Sequence, residues 1–127
     1  MVSRLIEGIV QYDYYELKAI YENEPSTIII DVRELREYED KHIPGIPLVP
    51  MSGIVHVIDD FKKDEKYIFV CRSGRRSHEV AKFFKNNGIE NVANYADGML
   101  GWQGEVATGQ EFVATDVKKL FKKKFSY

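Results

Sequence analysis

Apolar runs separated by glycine and proline divide the 127-residue chain into alternating extended and helical stretches. Residues 6–10 form a short apolar segment that predicts a strand. Asp13, with Glu16 three residues on, reads as a capping box. A helix should follow from about Tyr14 to Asn23, burying Leu17, Ile20 and Tyr21, and Pro25 prevents its continuation. Thr27-Ile28-Ile29-Ile30 is β-branched and continuously apolar, the pattern of a parallel strand covered on both faces. Pro47 and Pro50 weaken any central strand between them. Residues 51–61 place Ile54, Val55, Val57, Ile58 and Phe61 near helical spacing, with Ser52 as a cap, and residues 59–66 form a charged loop. Tyr67-Ile68-Phe69-Val70 predicts a buried strand. Residues 77–87 carry Val80, Ala81, Phe83 and Phe84 at helical spacing until Gly88 ends the run. Residues 91–95 read as another strand. Strands alternating with helices predict an α/β fold, a parallel sheet covered by helices.

Residues 104–109 look like a connector. Residues 115–127 predict a terminal helix with Val117, Leu120, Phe121 and Phe125 set against five lysines. Its apolar stripe should dock on the domain, an anionic membrane or a partner being the other use of a basic amphipathic helix.

At 44% hydrophobic residues, the chain is long enough for one domain with a core that needs no disulfide or structural metal. Twenty acidic and 18 basic residues leave a net charge of −2, which gives no bias toward nucleic acid. No run approaches the roughly 18 apolar residues of a membrane span, and residues 1–10 lack the apolar core of a signal peptide. A cytoplasmic location is the expectation. The single cysteine excludes an internal disulfide and a resolving partner. His42, His56 and His78 are widely spaced, so no metal site is predicted. His42 should hold a turn before Pro44, His56 should pack or lie at the surface, and His78 should be solvated in the first turn of its helix.

That single cysteine, Cys71, ends the strand at 67–70 and opens the loop Cys71-Arg72-Ser73-Gly74-Arg75-Arg76-Ser77. Strand, tight loop and helix start together point backbone N–H groups at the sulfur, with three arginines beside it. Such a setting lowers a thiol from about 8.5 into the range of roughly 3.5–7.5. The same donors stabilise negative charge that the sulfur carries or attacks. An inert, buried cysteine has no use for Arg72, Arg75 and Arg76. Ser73 and Ser77 can donate to bound sulfur or oxygen, and Ser77 can equally cap the helix. Asp31, at the end of the 27–30 strand, falls at the same carboxyl edge as Cys71.

The loop resembles the active loop of the rhodanese family, persulfide-forming sulfurtransferases that often show Cys-Arg-x-Gly-x-Arg. Cys71, Arg72, Gly74 and Arg76 match it. Asp31-Val32-Arg33, then His42-Ile43-Pro44-Gly45, and finally Gly98 with Trp102 resemble further family motifs in the expected order, so the resemblance spans residues 6–102. The chain departs from the pattern after Gly45, where Ile46-Pro47 replaces the usual alanine and short strand.

The resemblance implies a three-layer rhodanese-like domain over residues 1–103, with a central, mainly parallel sheet, and a C-terminal extension over 104–127. It implies Cys71 as the sulfur-accepting nucleophile and Arg72, Ser73, Gly74, Arg75, Arg76 and Ser77 as the substrate cradle, with Asp31 and Arg33 in support. The activity it implies is transfer of a sulfane sulfur from a small anionic donor such as thiosulfate, without a cofactor. The acceptor would be cyanide or a thiol, a thioredoxin-like or other sulfur-accepting protein included. Phosphatases and arsenate reductases similar to this family use Cys-x5-Arg. Here Cys-x4 lands on Arg76 and Cys-x5 on Ser77, which favours sulfur over phosphoryl transfer and leaves the phosphatase and a non-catalytic carrier or binding module as rivals.

Overall fold

The structure, a computed structural model, describes residues 4–122. Its first strands, β1 (Arg4–Ile6) and β2 (Ile9–Tyr12), pair antiparallel around Glu7 and Gly8. Both turn residues have positive φ, 52° and 79°, as a two-residue hairpin turn requires. The strand expected over 6–10 therefore contains a reversal, because the glycine permits one in mid-run.

Helix α1 (Tyr14–Asn23) has the expected limits, and its capping box is formed by Asp13 and Glu16 in reciprocal hydrogen bonds. The chain then crosses to β3 (Ile28–Asp31), continues through α2 (Leu35–Asp40) and α3 (Met51–Ile54), and returns in β4 (Tyr67–Val70). Helix α4 (Arg75–Asn86) leads to β5 (Val92–Tyr95). The sheet order is β1-β2-β5-β4-β3, parallel throughout except for the β1 edge.

Alternation along the strands sorts the core into two halves. Ile29, Ile68, Val70, Ala93 and Tyr95 meet Leu17 and Ile20 of α1. Ile28, Ile30, Tyr67, Phe69 and Cys71 face the other way, toward Val80, Ala81 and Phe84 of α4. The strands are thus buried on both faces, which explains their uninterrupted apolar sequence. Cys71 falls on the α4 side.

Several local expectations are corrected. Residues 51–61 are α3 followed by a 3-10 helix, Val55–Asp60, with a break at Val57 (φ −120°, ψ 17°). Pro50, not Ser52, stands at the cap position, and Ser52 Oγ donates to Glu34 instead. Leu48 makes single parallel bridges to Asp31 and to Val113, the short pairing that flanking prolines allow. Beyond residue 103, Ala107 bridges His42, while Val117, Leu120 and Phe121 join the α4-side core. Among the described residues helix α5 covers Lys119–Lys122, so it starts later than the helix expected from residue 115. Lys123, Lys124 and Phe125 of that expected helix lie outside the described residues. No helix among the described residues is long and apolar enough to cross a membrane.

Two contacts anchor α4. Phe84 is fully buried, with Phe61, Tyr67 and Phe69 packed around its ring at centroid distances of 4.6–5.7 Å. At the other end, Arg76 donates through both terminal nitrogens to Glu37 of α2, each at 2.8 Å. The guanidinium is the main reason that the Glu37 carboxyl is held down at about 2.

Phe84→Ala should cost about 3–5 kcal/mol in urea unfolding; a loss below about 1 kcal/mol would contradict this packing account. The Glu37 carboxyl titrates lower in the folded chain than its ordinary 4.5. Its contribution is therefore present above that value and lost as pH falls toward about 2. Solvent screens the pair, whose side chains are 31% and 36% exposed, so the effect is modest. Glu37→Gln should flatten the fall in stability below pH ~4.5, with little change in the slope above pH ~6.

Candidate active site

Strand β4 carries the chain into the loop, and Gly74 turns it into α4. Gly74 lies in the left-handed region, φ 86°, at the N-cap. A side chain there would collide with the Ala96 carbonyl, so only glycine fits. The helix therefore starts at Arg75, two residues before the apolar periodicity suggests, and Ser77 sits inside its first turn instead of capping it.

The loop's carbonyls are occupied from outside. Met99 N–H donates to Cys71 O at 2.9 Å, Leu100 N–H to Arg72 O at 3.0 Å, and Asn94 Nδ2 to Gly74 O at 2.9 Å. Gly98 makes this possible, since a Cβ there would strike the Arg72 carbonyl. With the carbonyls held outward, N–H groups turn inward. Gly74 N–H reaches Cys71 Sγ at 3.1 Å, and the backbone N–H groups of Ser73 and Ser77 also bond the sulfur. Ser77 Oγ lies 3.2 Å from it.

Cys71 itself is fully buried. Burial pushes its thiol up, but the hydrogen bonds that reach the sulfur from Ser77, Ser73 and Gly74 outweigh it, so the thiol lies below its ordinary value. A thiolate in this setting is held by fixed dipoles at a helix N-terminus.

The three arginines divide. Arg76 is committed to Glu37 and is still close enough to couple electrostatically with Cys71. Arg72 and Arg75 stand exposed on the outer side of the loop. Ser73 is exposed as well and contributes its backbone, not its hydroxyl. Asp31 and Arg33 form a buried pair, 2.8 Å between Oδ2 and Nη2, and Arg33 also donates to Lys41 O at 2.7 Å. This pair ties the end of β3 to the end of α2. The register sets Asp31 beside Val70, one residue before Cys71.

His42 is a buried strut, stacked on Tyr38 at 3.7 Å and bonded to Tyr38 O and Glu111. His78 is tied to the β1–β2 hairpin, its Nδ1 to Gln11 and its Nε2 to Glu7. Glu7, His78 and Glu79 bring possible ligand atoms within 4.8 Å of one another. Both imidazole nitrogens of His78 are engaged in hydrogen bonds within the protein.

Three residues beside the loop escape the sequence reading: Glu37, Asn94 and Gln11. Asn94 and Gln11 are buried polar residues that lie opposite each other in the β2–β5 register. The available signal was an amide within an otherwise apolar strand, and its meaning depends on a neighbour 83 residues away.

Comparison with known proteins agrees with this geometry. Residues 13–105 match the sequence model of the rhodanese-like domain. A Bacillus subtilis relative, YrkF, provisionally named a sulfur carrier protein, is 34% identical over 103 residues, 81% of this chain. The chain spans about 56% of that relative's length. The thiosulfate:glutathione sulfurtransferase of Saccharomyces cerevisiae is 29% identical over 79% of this chain and 82% of its own length. The crystal structure of a rhodanese-like domain protein from Staphylococcus aureus superposes with a TM-score of 0.71 at 32% identity, covering 79% of this chain and 98% of the other. From the Cys71 loop to the sheet order, the chain belongs to the rhodanese-like domain family.

Proposed function

We propose that this chain is a sulfurtransferase that carries a sulfane sulfur on Cys71, taking it from thiosulfate or a related anionic donor. The observation that supports this reading is the convergence of the Ser73, Gly74 and Ser77 N–H groups on Cys71 Sγ. In the first step the Cys71 thiolate attacks the donor's outer sulfur. A new S–S bond forms, the bond to the sulfonate sulfur breaks, and sulfite leaves with the electron pair. In the second step a nucleophile attacks the outer sulfur of the Cys71 persulfide. Cyanide leaves as thiocyanate, a thiol as its persulfide, and Cys71 departs as thiolate. Two half-reactions joined by a covalent intermediate give ping-pong kinetics.

Each step ends with negative charge on sulfur inside the loop, where the N–H groups already point. Arg72 and Arg75, exposed beside the buried thiol, draw the dianionic donor toward it. Arg76 positions the loop through Glu37 and adds positive potential at the sulfur. Asp31 and Arg33 support the neighbouring strand end. The relative from S. cerevisiae is named for thiosulfate and glutathione, which favours a thiosulfate donor and a low-molecular-weight or protein thiol as acceptor.

Incubation with thiosulfate should add one sulfur, ~32 Da, to the wild-type protein, and cyanide should remove it with release of thiocyanate. Cys71→Ser should show no gain. Absence of the adduct on wild type, with thiosulfate and with other sulfane donors, would refute the reading. Arg72→Ala combined with Arg75→Ala should raise KM for thiosulfate about 3–30-fold, with a weaker dependence on ionic strength than the wild type and kcat changed far less. An unchanged KM and salt dependence would remove the steering role.

A further inference from the structure

Behind the loop, buried amides form a hydrogen-bonded chain whose direction can be assigned atom by atom. Asn94 faces Gly74 O at 2.9 Å, and a carbonyl only accepts, so the atom there is Nδ2. The same nitrogen donates to Gln11 Oε1 at 2.8 Å. Gln11 is oriented in turn by Ile9 O, which requires Nε2 on that side. His78 Nδ1 then accepts from Gln11 Nε2 at 3.0 Å, and Nε2 of the ring donates to Glu7 at 2.9 Å. Two backbone carbonyls thus set the polarity of the whole chain.

One consequence reaches the sulfur. Asn94 Oδ1, left facing Ser77 Oγ at 2.5 Å, can only accept. Ser77 has one hydroxyl proton and two neighbours that would take it, Asn94 Oδ1 and Cys71 Sγ. Giving the proton to the sulfur would leave two oxygen lone pairs opposed at the shorter of the two contacts. Giving it to Asn94 turns a Ser77 lone pair toward Cys71, which suits a neutral S–H donor.

We infer that Asn94 is a positioning residue, which takes the single Ser77 hydroxyl proton and so presents an oxygen lone pair, not an O–H, to Cys71 Sγ. The Ser77 hydroxyl then favours the uncharged thiol. The thiolate is held by the backbone N–H groups of the loop and the positive potential of Arg76, without an O–H from Ser77. Because a more acidic thiol leaves faster, this arrangement makes Cys71 a slower leaving group toward every acceptor alike.

The test is the pH profile of iodoacetamide alkylation at Cys71, the sole cysteine. Charged groups around the sulfur stay as they are in every variant: Arg76 of α4 with Glu37 of α2, Asp31 with Arg33 at the end of β3, and His78 with Glu7 beyond Gln11. Asn94→Val frees the Ser77 O–H to donate to the thiolate. The midpoint should fall by about one unit, a roughly tenfold rise in the thiolate-to-thiol ratio, although the replacement is more apolar. In a Ser77→Ala background the same substitution should produce no fall. Ser77→Ala alone, which leaves Asn94 in place and guards against a poorly folding Asn94 variant, should leave the midpoint unchanged or lower it. A midpoint raised by about a unit in Ser77→Ala would overturn the inference, as would an Asn94→Val midpoint that does not fall or that falls equally without Ser77. The inference depends on the sulfur-transfer reading only for the use made of Cys71. Alkylation needs no sulfur donor, so the two can fail separately.

Discussion

The turn at Gly74 is the constraint on which the site depends. Between Val70 and Arg75 the chain must leave a strand, enter a helix and put an N–H on the sulfur of Cys71. The left-handed backbone at φ 86° does all three, and the Ala96 carbonyl packed against its α-carbon excludes any side chain. Its own carbonyl is held from behind by Asn94, so the adjoining peptides cannot rotate without losing a buried hydrogen bond. The first turn of α4 is thereby aimed at Sγ from a fixed distance. A dipole that needs no rearrangement when charge arrives stabilises that charge more than a mobile one does.

Rigid placement of this turn draws on the layers above and below it. Both faces of β4 are buried, so its register against β3 and β5 cannot slip by a residue without driving apolar side chains to the wrong side. On the α4 side, Phe84 fixes the far end of the helix among three aromatic rings. At the near end, the Arg76–Glu37 fork joins α4 to α2, which the buried Asp31–Arg33 pair ties in turn to the tip of β3. Charge therefore does different work at different depths. The buried pair locks the scaffold, the half-exposed pair orients the loop, and Arg72 and Arg75 stand exposed beside it.

Much of this was legible in the sequence wherever the determinant was local. The capping box at Asp13 and Glu16 marks the start of α1 correctly, and the apolar runs at 28–30 and 67–70 mark strands buried on both faces. Cys71 and Gly74 mark the strand-to-helix loop of the rhodanese-like domain because their determinants act over a few residues. What was missed depends on distant partners or on backbone geometry without a side-chain signal. The β1–β2 reversal rests on positive φ at Glu7 and Gly8, inside a run that reads as continuous. The start of α4 is set by Gly74 against Ala96, not by the first apolar position. The pairing of Arg76 with Glu37, 39 residues earlier, has no local signal in the sequence.

The buried amides beside the loop show why such a site retains polar groups that a purely apolar core would avoid. Asn94 and Gln11 sit opposite one another in neighbouring parallel strands, where leucine or valine would pack without the need for partners. An amide there is tolerable only if its hydrogen bonds are satisfied, and each of these is. Satisfaction on both sides makes the chain directional, since a single reversed amide would oppose two donors or two acceptors at each junction. Direction is something a backbone dipole at the helix start cannot provide. Backbone N–H groups stabilise negative charge on Cys71 whenever the thiolate forms, whereas a hydroxyl whose proton is assigned elsewhere distinguishes a neutral sulfur from a charged one. The first device favours the thiolate, and the second sets how strongly the site holds its proton.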